Sequence, residues 1–118
     1  MIMIFQKSGF TEMSYRFMRI LIFFDLPTLT KKDRREYTKF RRSLLTNGFM
    51  MLQESVYCKL AVNMTVASAV METIRKNKPP AGLVQMLCIT EKQFAKMEII
   101  TGSFYSEIID NEERLIIL

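Results

Sequence analysis

The sequence contains no histidine and no tryptophan, and it has only four glycines, three prolines and two cysteines in 118 residues. The lack of histidine excludes Ser-His and Cys-His nucleophilic catalysis, an imidazole base and histidine metal ligands. With so little glycine there is no Walker loop and no Rossmann fingerprint, and RNP1 and zinc-knuckle motifs are absent as well. Acid, base or metal chemistry must therefore rest on carboxylates.

The two cysteines, Cys58 and Cys88, lack the close spacing of a zinc site, so we expect reduced thiols in the core of a cytoplasmic protein. The longest apolar run covers only residues 20–24, against the roughly 18 residues that a membrane span requires. The N-terminus also lacks the apolar region of a signal peptide. We therefore expect no membrane partner.

Apolar residues make up 49% of the chain and charged residues 25%, which is typical of one folded domain. Residues 1–12 are interpreted as an extension or a misassigned start, because Met13 directly precedes the first strongly patterned segment; residues 13–118 form the domain. A chain this small exposes much of its surface, so pairing with a second copy is expected.

The hydrophobic pattern predicts four strands and two helices in the order strand, helix, strand, strand, helix, strand. The strands are expected at 17–26, 49–53, 55–62 and 82–89, and the helices at 31–46 and 64–77. Thr30 and Asp33 form a capping box for the first helix, and the last strand is expected to be internal. The helices should bury Tyr37, Phe40 and Leu44, and Val66, Val70 and Ile74, respectively.

This order predicts an α+β, ferredoxin-like βαββαβ fold, with an antiparallel sheet and both helices on one face. The other face requires a cover, for which a partner chain is the simplest candidate. Beyond the sixth element we expect a short helix at 91–97, a strand at 98–101 and a terminal strand at 114–118. The terminal strand is expected to pair with a sheet edge of the partner protomer.

The first helix concentrates positive charge: seven of the 17 basic residues lie between Lys31 and Arg42. Such a face has two interpretations, an ordinary solvated surface or a surface that binds a polyanion. Because the charge is nearly all of one sign and repels itself, we take the second as the working hypothesis. The candidate nucleic-acid-binding residues are Lys31, Lys32, Arg34, Arg35, Lys39 and Arg42.

Asp25 is the candidate catalytic and metal-binding residue, because it follows five apolar residues at the end of a central strand. It either caps backbone amides of the next loop or binds a cation. One carboxylate is little for Mg²⁺, but two copies of Asp25 meeting across a twofold axis would suffice to hold one ion. Ser55 and Tyr57 are auxiliary hydroxyl candidates near the same edge; otherwise they are ordinary strand residues.

A family resemblance rests on residues 23–27 (FFDLP), a basic helix with Arg34 and Arg35, residues 48–49 (GF) and residues 53–57 (QESVY). In this order they resemble the CRISPR-associated protein 2 family. The tail at 90–97 (TEKQFAKM) and 112–115 (EERL) is similar to the version found with Cas9-type systems. Phe24, a further auxiliary candidate, stands where the family commonly has tyrosine, and Tyr57 where it often has Phe.

The resemblance implies a homodimer with Asp25 of each protomer near the twofold axis, and Mg²⁺-dependent endonuclease activity, a phosphodiester hydrolysis, in some members. It also implies a scaffold in spacer acquisition that bridges integrase subunits and binds double-stranded DNA, with RNA as a further substrate class. The resemblance leaves both a catalytic and a non-catalytic biological role open. Asp25 matches the family's metal-binding aspartate, and Arg34 or Arg35 its following arginine.

Two other functions compete with this interpretation. A toxin-like, metal-dependent ribonuclease of similar fold, not tied to spacer integration, fits the same residues. A small-molecule regulatory domain fits less well, because no glycine-rich loop follows the first strand.

Overall fold

Four strands and three helices make up residues 17–102, the part of the chain that the computed structural model describes. The strands are β1 (Met18–Asp25), β2 (Met50–Gln53), β3 (Val56–Ala61) and β4 (Leu83–Thr90). The helices are α1 (Lys31–Thr46), α2 (Met64–Lys76) and α3 (Glu91–Phe94). The predicted order of the first six elements is confirmed.

The sheet has the strand order β2-β3-β1-β4, and every pair of neighbours is antiparallel. This order is that of a ferredoxin-like fold and confirms the predicted fold class. The prediction that the fourth strand is internal was wrong, because β4 lies at an edge of the described sheet. Its apolar residues alternate between the two faces, with Met86 packed in the core and Leu87 half exposed.

Helix α1 begins and ends where its sequence signals predict. The hydroxyl of Thr30 accepts a hydrogen bond from the Asp33 amide at 3.0 Å, and the Asp33 carboxylate accepts one from the Thr30 amide at 3.2 Å. This reciprocal pair satisfies two amides that the first turn leaves free. The helix stops at Asn47, and Gly48 follows with a φ of +88° that favours glycine.

Helix α2 is capped by Asn63, whose side chain accepts a hydrogen bond from the Val66 amide at 2.8 Å. Its buried residues are Ala67, Met71 and Ile74, so the predicted inward face was correct for Ile74 and wrong for Val66, which is 39% exposed. The prediction counted only large apolar side chains. The fully buried Ala67 instead lets the helix backbone lie close to the sheet.

The main core lies between the two long helices and one face of the sheet. Ile20, Ile22 and Phe24 of β1 pack there against Phe40 of α1 and Ile74 of α2. The rings of Phe24 and Phe40 meet edge to face, with centroids 5.3 Å apart. Because residues from both helices share one cluster with the even-numbered residues of β1, both helices lie on the same face of the sheet.

The other face of the sheet carries the odd-numbered residues of β1. We call it the open face: it consists of Arg19, Leu21, Phe23 and Asp25 of β1, Val56, Cys58 and Leu60 of β3, and Leu83, Gln85, Leu87 and Ile89 of β4. Residues 97–101 cross part of it and, with Leu21, Phe23 and Val56, line a largely apolar cavity. Leu60, Leu83 and Leu87 remain 43%, 55% and 49% exposed.

The predicted strand at 98–101 was wrong, because this segment is irregular. It lines a cavity with residues of β1, β2 and β3 and forms no strand pairing within residues 17–102. The predicted short helix is confirmed over Glu91–Phe94 only. The extension at 1–12 and the terminal strand at 114–118 lie outside the described residues.

Candidate metal and nucleic-acid site

Asp25 is the last residue of β1 and lies on the open face. In the antiparallel register it pairs with Leu83 of β4, and Phe23 pairs with Gln85 two positions earlier. Residues that pair directly across antiparallel strands project to the same side. Asp25 itself is exposed, so its carboxylate stands at the end of the sheet beside an exposed leucine.

The carboxylate of Asp25 has no hydrogen-bond or ion-pair partner among residues 17–102. In particular, no backbone amide of the following loop donates to it in this part of the chain, so the loop-capping interpretation gains no support there. Across residues 17–102, no three Asp, Glu or Cys side chains come together as a metal-binding group. Within this part of the chain Asp25 is thus a single carboxylate without a partner, and its oxygens suit a hard cation such as Mg²⁺.

The backbone around Asp25 is held from both neighbouring strands. On the β3 side, the Phe24 amide donates to the carbonyl of Ser55 at 3.1 Å. Ser55 lies in the tight turn between β2 and β3 with a φ of +67°. On the β4 side, Gly82 packs directly against Asp25 and Leu26. Ser55 therefore lies at the same end of the sheet as Asp25, as predicted, and the role of Gly82 was missed.

Phe24 and Tyr57 lie on the helix side of the sheet, away from the open face. Phe24 is 6% exposed and Tyr57 is 2% exposed, and their rings are 5.6 Å apart in the core. The Tyr57 hydroxyl accepts a hydrogen bond from Nε of Arg41 at 2.8 Å. The structure thus places these two auxiliary candidates in the packing beneath β1, where they support the strand and do not face the Asp25 carboxylate.

The cationic face of α1 is exposed along its length. We use this name for the six residues Lys31, Lys32, Arg34, Arg35, Lys39 and Arg42, all of which are exposed. Five of them, with Thr38, line one shallow concavity; Lys32 lies outside it. Among residues 17–102, none of the six forms an ion pair with an acidic side chain. The charge is therefore uncompensated and open to a polyanion.

Arg34 differs from the rest of the cationic face because its guanidinium is engaged within the chain. Its Nη1 donates to the carbonyls of Thr28 and Leu29, at 3.2 Å and 3.0 Å. These residues belong to the loop that leads from Asp25 to α1. Arg34 thus fixes the loop next to the carboxylate, and its remaining N–H groups stay exposed for an anion.

A second charged residue of the open face, Arg19, was missed because its partner is 72 positions away. Its Nε and Nη2 donate to the two oxygens of Glu91 at 2.7 Å and 2.5 Å, and its guanidinium lies 4.4 Å from the centre of the Phe94 ring. The hydrogen bond from Arg19 to Glu91 raises the pKa of the guanidinium. Arg19 therefore joins β1 to α3.

Cys58 completes this cluster and is 1% exposed. Its sulfur lies 3.6 Å from Nη1 of Arg19. Burial raises the pKa of the Cys58 thiol, and the nearby Arg19 opposes part of that rise. Cys58 and Cys88 are both free thiols, as predicted.

The fold and the site together define a class of protein: a small ferredoxin-like domain with an exposed carboxylate at the end of its central strand and a cationic helix beside it. The family model described as CRISPR associated protein Cas2 matches residues 18–97 of the chain. The chain belongs to this family. The resemblance noted from the sequence is confirmed.

Three relatives bear the name CRISPR-associated endoribonuclease Cas2. The protein from Treponema denticola is 50% identical over 101 residues, which cover 86% of this chain and 100% of the relative. The proteins from Campylobacter jejuni and Streptococcus mutans are 43% and 41% identical, over 85% and 86% of this chain and 71% and 93% of the relatives. None of the helices in residues 17–102 has the length and apolarity to cross a bilayer.

Proposed function

We propose that the protein is a metal-dependent endonuclease of the CRISPR system that works as a homodimer, with Asp25 of each protomer at its active centre. The observation that carries this proposal is the position of Asp25: an exposed carboxylate at the end of the central strand, without a partner among residues 17–102. The names of the relatives, all endoribonucleases, support the same reaction class.

The homodimer is supported by the open face. Leu83 and Leu87 are half exposed there, and Phe23 is 37% exposed. A second copy would remove these side chains from water, which contributes about 25 cal/mol for each Å² of apolar surface. Since Asp25 pairs with Leu83 in the sheet, a twofold contact that covers Leu83 would bring two Asp25 carboxylates close together.

The residues present fit a magnesium ion. Mg²⁺ is commonly held by one or two carboxylates, with water and phosphate oxygens completing its coordination. Two copies of Asp25 would supply the carboxylates and the nucleic acid the phosphate. When bound, the ion would polarise the phosphodiester and lower the pKa of a bound water.

The chain's own residues would then position the substrate. The cationic face of α1 would bind phosphates of the substrate, since its side chains form no ion pairs among residues 17–102. Arg34 would hold the intervening loop in place through the carbonyls of Thr28 and Leu29. Asp25 would hold the centre in position, and a water molecule would attack the phosphorus in line with the leaving oxygen.

A second function rests on the same cationic face. One shallow concavity lined by five of its six residues suits the backbone of a duplex, so the dimer would also serve as a scaffold for double-stranded DNA in spacer acquisition, with the integrase as its protein partner. Such binding would not depend on base sequence. It would fall steeply with salt, because phosphate contacts release counterions.

The test is cleavage of matched single-stranded RNA and double-stranded DNA with Mg²⁺, with EDTA, and with Asp25→Asn. Loss of Mg²⁺-dependent cleavage in the variant, with the dimer intact, supports the proposal. Cleavage that survives EDTA or the substitution would refute the metal mechanism. Cleavage of RNA alone, with no binding of duplex DNA, would favour the toxin-like ribonuclease over the scaffold.

A further inference from the structure

The approach of β4 to the end of β1 is unusually close at Gly82. A Cβ atom built on this glycine would lie 2.8 Å from the carbonyl oxygen of Asp25 and 2.7 Å from Cδ2 of Leu26. Both distances are shorter than van der Waals contact, and the first is to backbone, which cannot rotate away. Gly82 also has a φ of +95°, a conformation that side chains rarely adopt.

This contact lies opposite the hydrogen bond that holds the same strand end from β3. The Phe24 amide donates to Ser55 on one side, and Gly82 abuts the Asp25 carbonyl on the other. The peptide that precedes Phe24 is therefore held by β3 and the peptide that follows Asp25 abuts Gly82, while the Asp25 carboxylate itself has no partner among residues 17–102. Among these residues, the backbone alone sets the position of this carboxylate.

We infer that Gly82 is a positioning residue for the Asp25 carboxylate, because any side chain there would displace the peptide that carries it. The inference rests on the proposed function of Asp25 and deepens it. A carboxylate that must meet its copy across a twofold axis tolerates little displacement, since an error of about 1 Å in such a site costs roughly 100-fold in rate. The displacement would also occur in both protomers at once.

The glycines of this chain provide matched controls. Gly102 has a φ of +96°, and nothing lies within 4 Å of a Cβ built there. Gly102→Ala thus introduces the same backbone strain as Gly82→Ala without the clash. Gly82→Asn separates the two effects at one site, because asparagine adopts positive φ more readily than alanine yet still carries a Cβ.

The experiment compares Gly82→Ala, Gly82→Asn, Gly102→Ala and Asp25→Asn in the full chain. The first measurement needs no metal: hydrogen exchange of the Phe24 amide, whose bond to Ser55 reports on the strand end. The second is Mn²⁺ affinity by calorimetry. Both Gly82 variants are expected to exchange the Phe24 amide about 10-fold faster and to bind Mn²⁺ about 10-fold more weakly, with Gly102→Ala unchanged.

Each other outcome overturns the inference. If Gly82→Asn has the same Phe24 exchange rate and Mn²⁺ affinity as the unaltered chain, glycine is required at this position because of backbone strain and not because of the clash. If both Gly82 variants unfold while Gly102→Ala folds, the contact serves the whole sheet and not the strand end. If Asp25→Asn abolishes Mn²⁺ binding but the Gly82 variants do not weaken it, the proposed function survives without this role for Gly82. If Asp25→Asn leaves Mn²⁺ binding intact, the proposed function itself fails.

Discussion

The two ends of β1 carry opposite charges on the same open face, but only one of the two charged side chains has a partner within residues 17–102. Arg19, near the start, is bound by both oxygens of Glu91 and stacks on Phe94. Asp25, at the end, has no side-chain partner among residues 17–102. A charge compensated within the chain contributes to structure, whereas one left free is available to a ligand. The contrast supports a structural role for Arg19 and the functional role proposed for Asp25.

The largest expected effect is on Asp25. Asp25→Asn keeps the size of the side chain but removes its charge, so Mg²⁺-dependent cleavage should fall by at least about 100-fold. The free energy of unfolding should change by less than about 0.5 kcal/mol, because the side chain is exposed. Cleavage assays and urea denaturation measure the two quantities. A large loss of stability in Asp25→Asn would mean that Asp25, like Arg19, has a structural role.

The reverse result is expected at Arg19. Arg19→Met removes the partner of Glu91, whose side chain is only 28% exposed, and should destabilise the protein by about 2 kcal/mol. Cleavage per folded molecule should remain near that of the unaltered chain. Urea denaturation measures the free energy of unfolding. The control is the double variant Arg19→Met with Glu91→Gln, which also removes the unpaired charge of Glu91 and should recover part of the lost stability. Stability unaffected by Arg19→Met would contradict a structural role.

The cationic face is expected to control the salt dependence of binding. Replacing Arg35 and Lys39 by glutamate should make the slope of log K against log salt less steep, by the amount that corresponds to the loss of about two phosphate contacts. The matched control reverses Arg75 and Lys76 at the exposed end of α2, which changes the net charge equally. Filter binding of duplex DNA over a range of salt measures both slopes. Equal slopes in the two variants would mean that only net charge matters.

The smallest effect concerns pH and stability. Burial raises the folded-state pKa of the Cys58 thiol, so the folded chain holds this proton more tightly than the unfolded chain. The stability that this proton contributes is present below the pKa of the thiol in the unfolded chain. It is lost as the pH rises through the pKa of the thiol in the folded chain. Stability should therefore decline above about pH 9, and less steeply in Cys58→Ala. Urea midpoints measured across this pH range give the dependence of stability on pH. The same dependence in the unaltered chain and in Cys58→Ala would contradict a contribution from Cys58.

Much of this fold follows from local signals. Thr30, Asp33 and Gly48 set both ends of α1, and the apolar run of β1 predicts a central strand. Contacts between distant residues could not be predicted from local sequence patterns, because the ion pair of Arg19 and Glu91 joins residues 72 positions apart. The edge position of β4 in the described sheet was also missed, because residues that alternate between a core and a half-covered face resemble those of an internal strand. Gly82 was counted simply as the start of a strand, since its contact with Asp25 depends on the register of β1 and β4.

In the proposed dimer, two Asp25 carboxylates share one metal ion across a twofold axis. The most direct test of this arrangement is the stoichiometry of Mn²⁺ binding to the full chain, measured by calorimetry together with the mass in solution. We expect a dimer that binds one ion for every two chains at this centre, and an Asp25→Asn dimer that has lost that ion. A monomer, or one ion per chain bound equally well by Asp25→Asn, would contradict it.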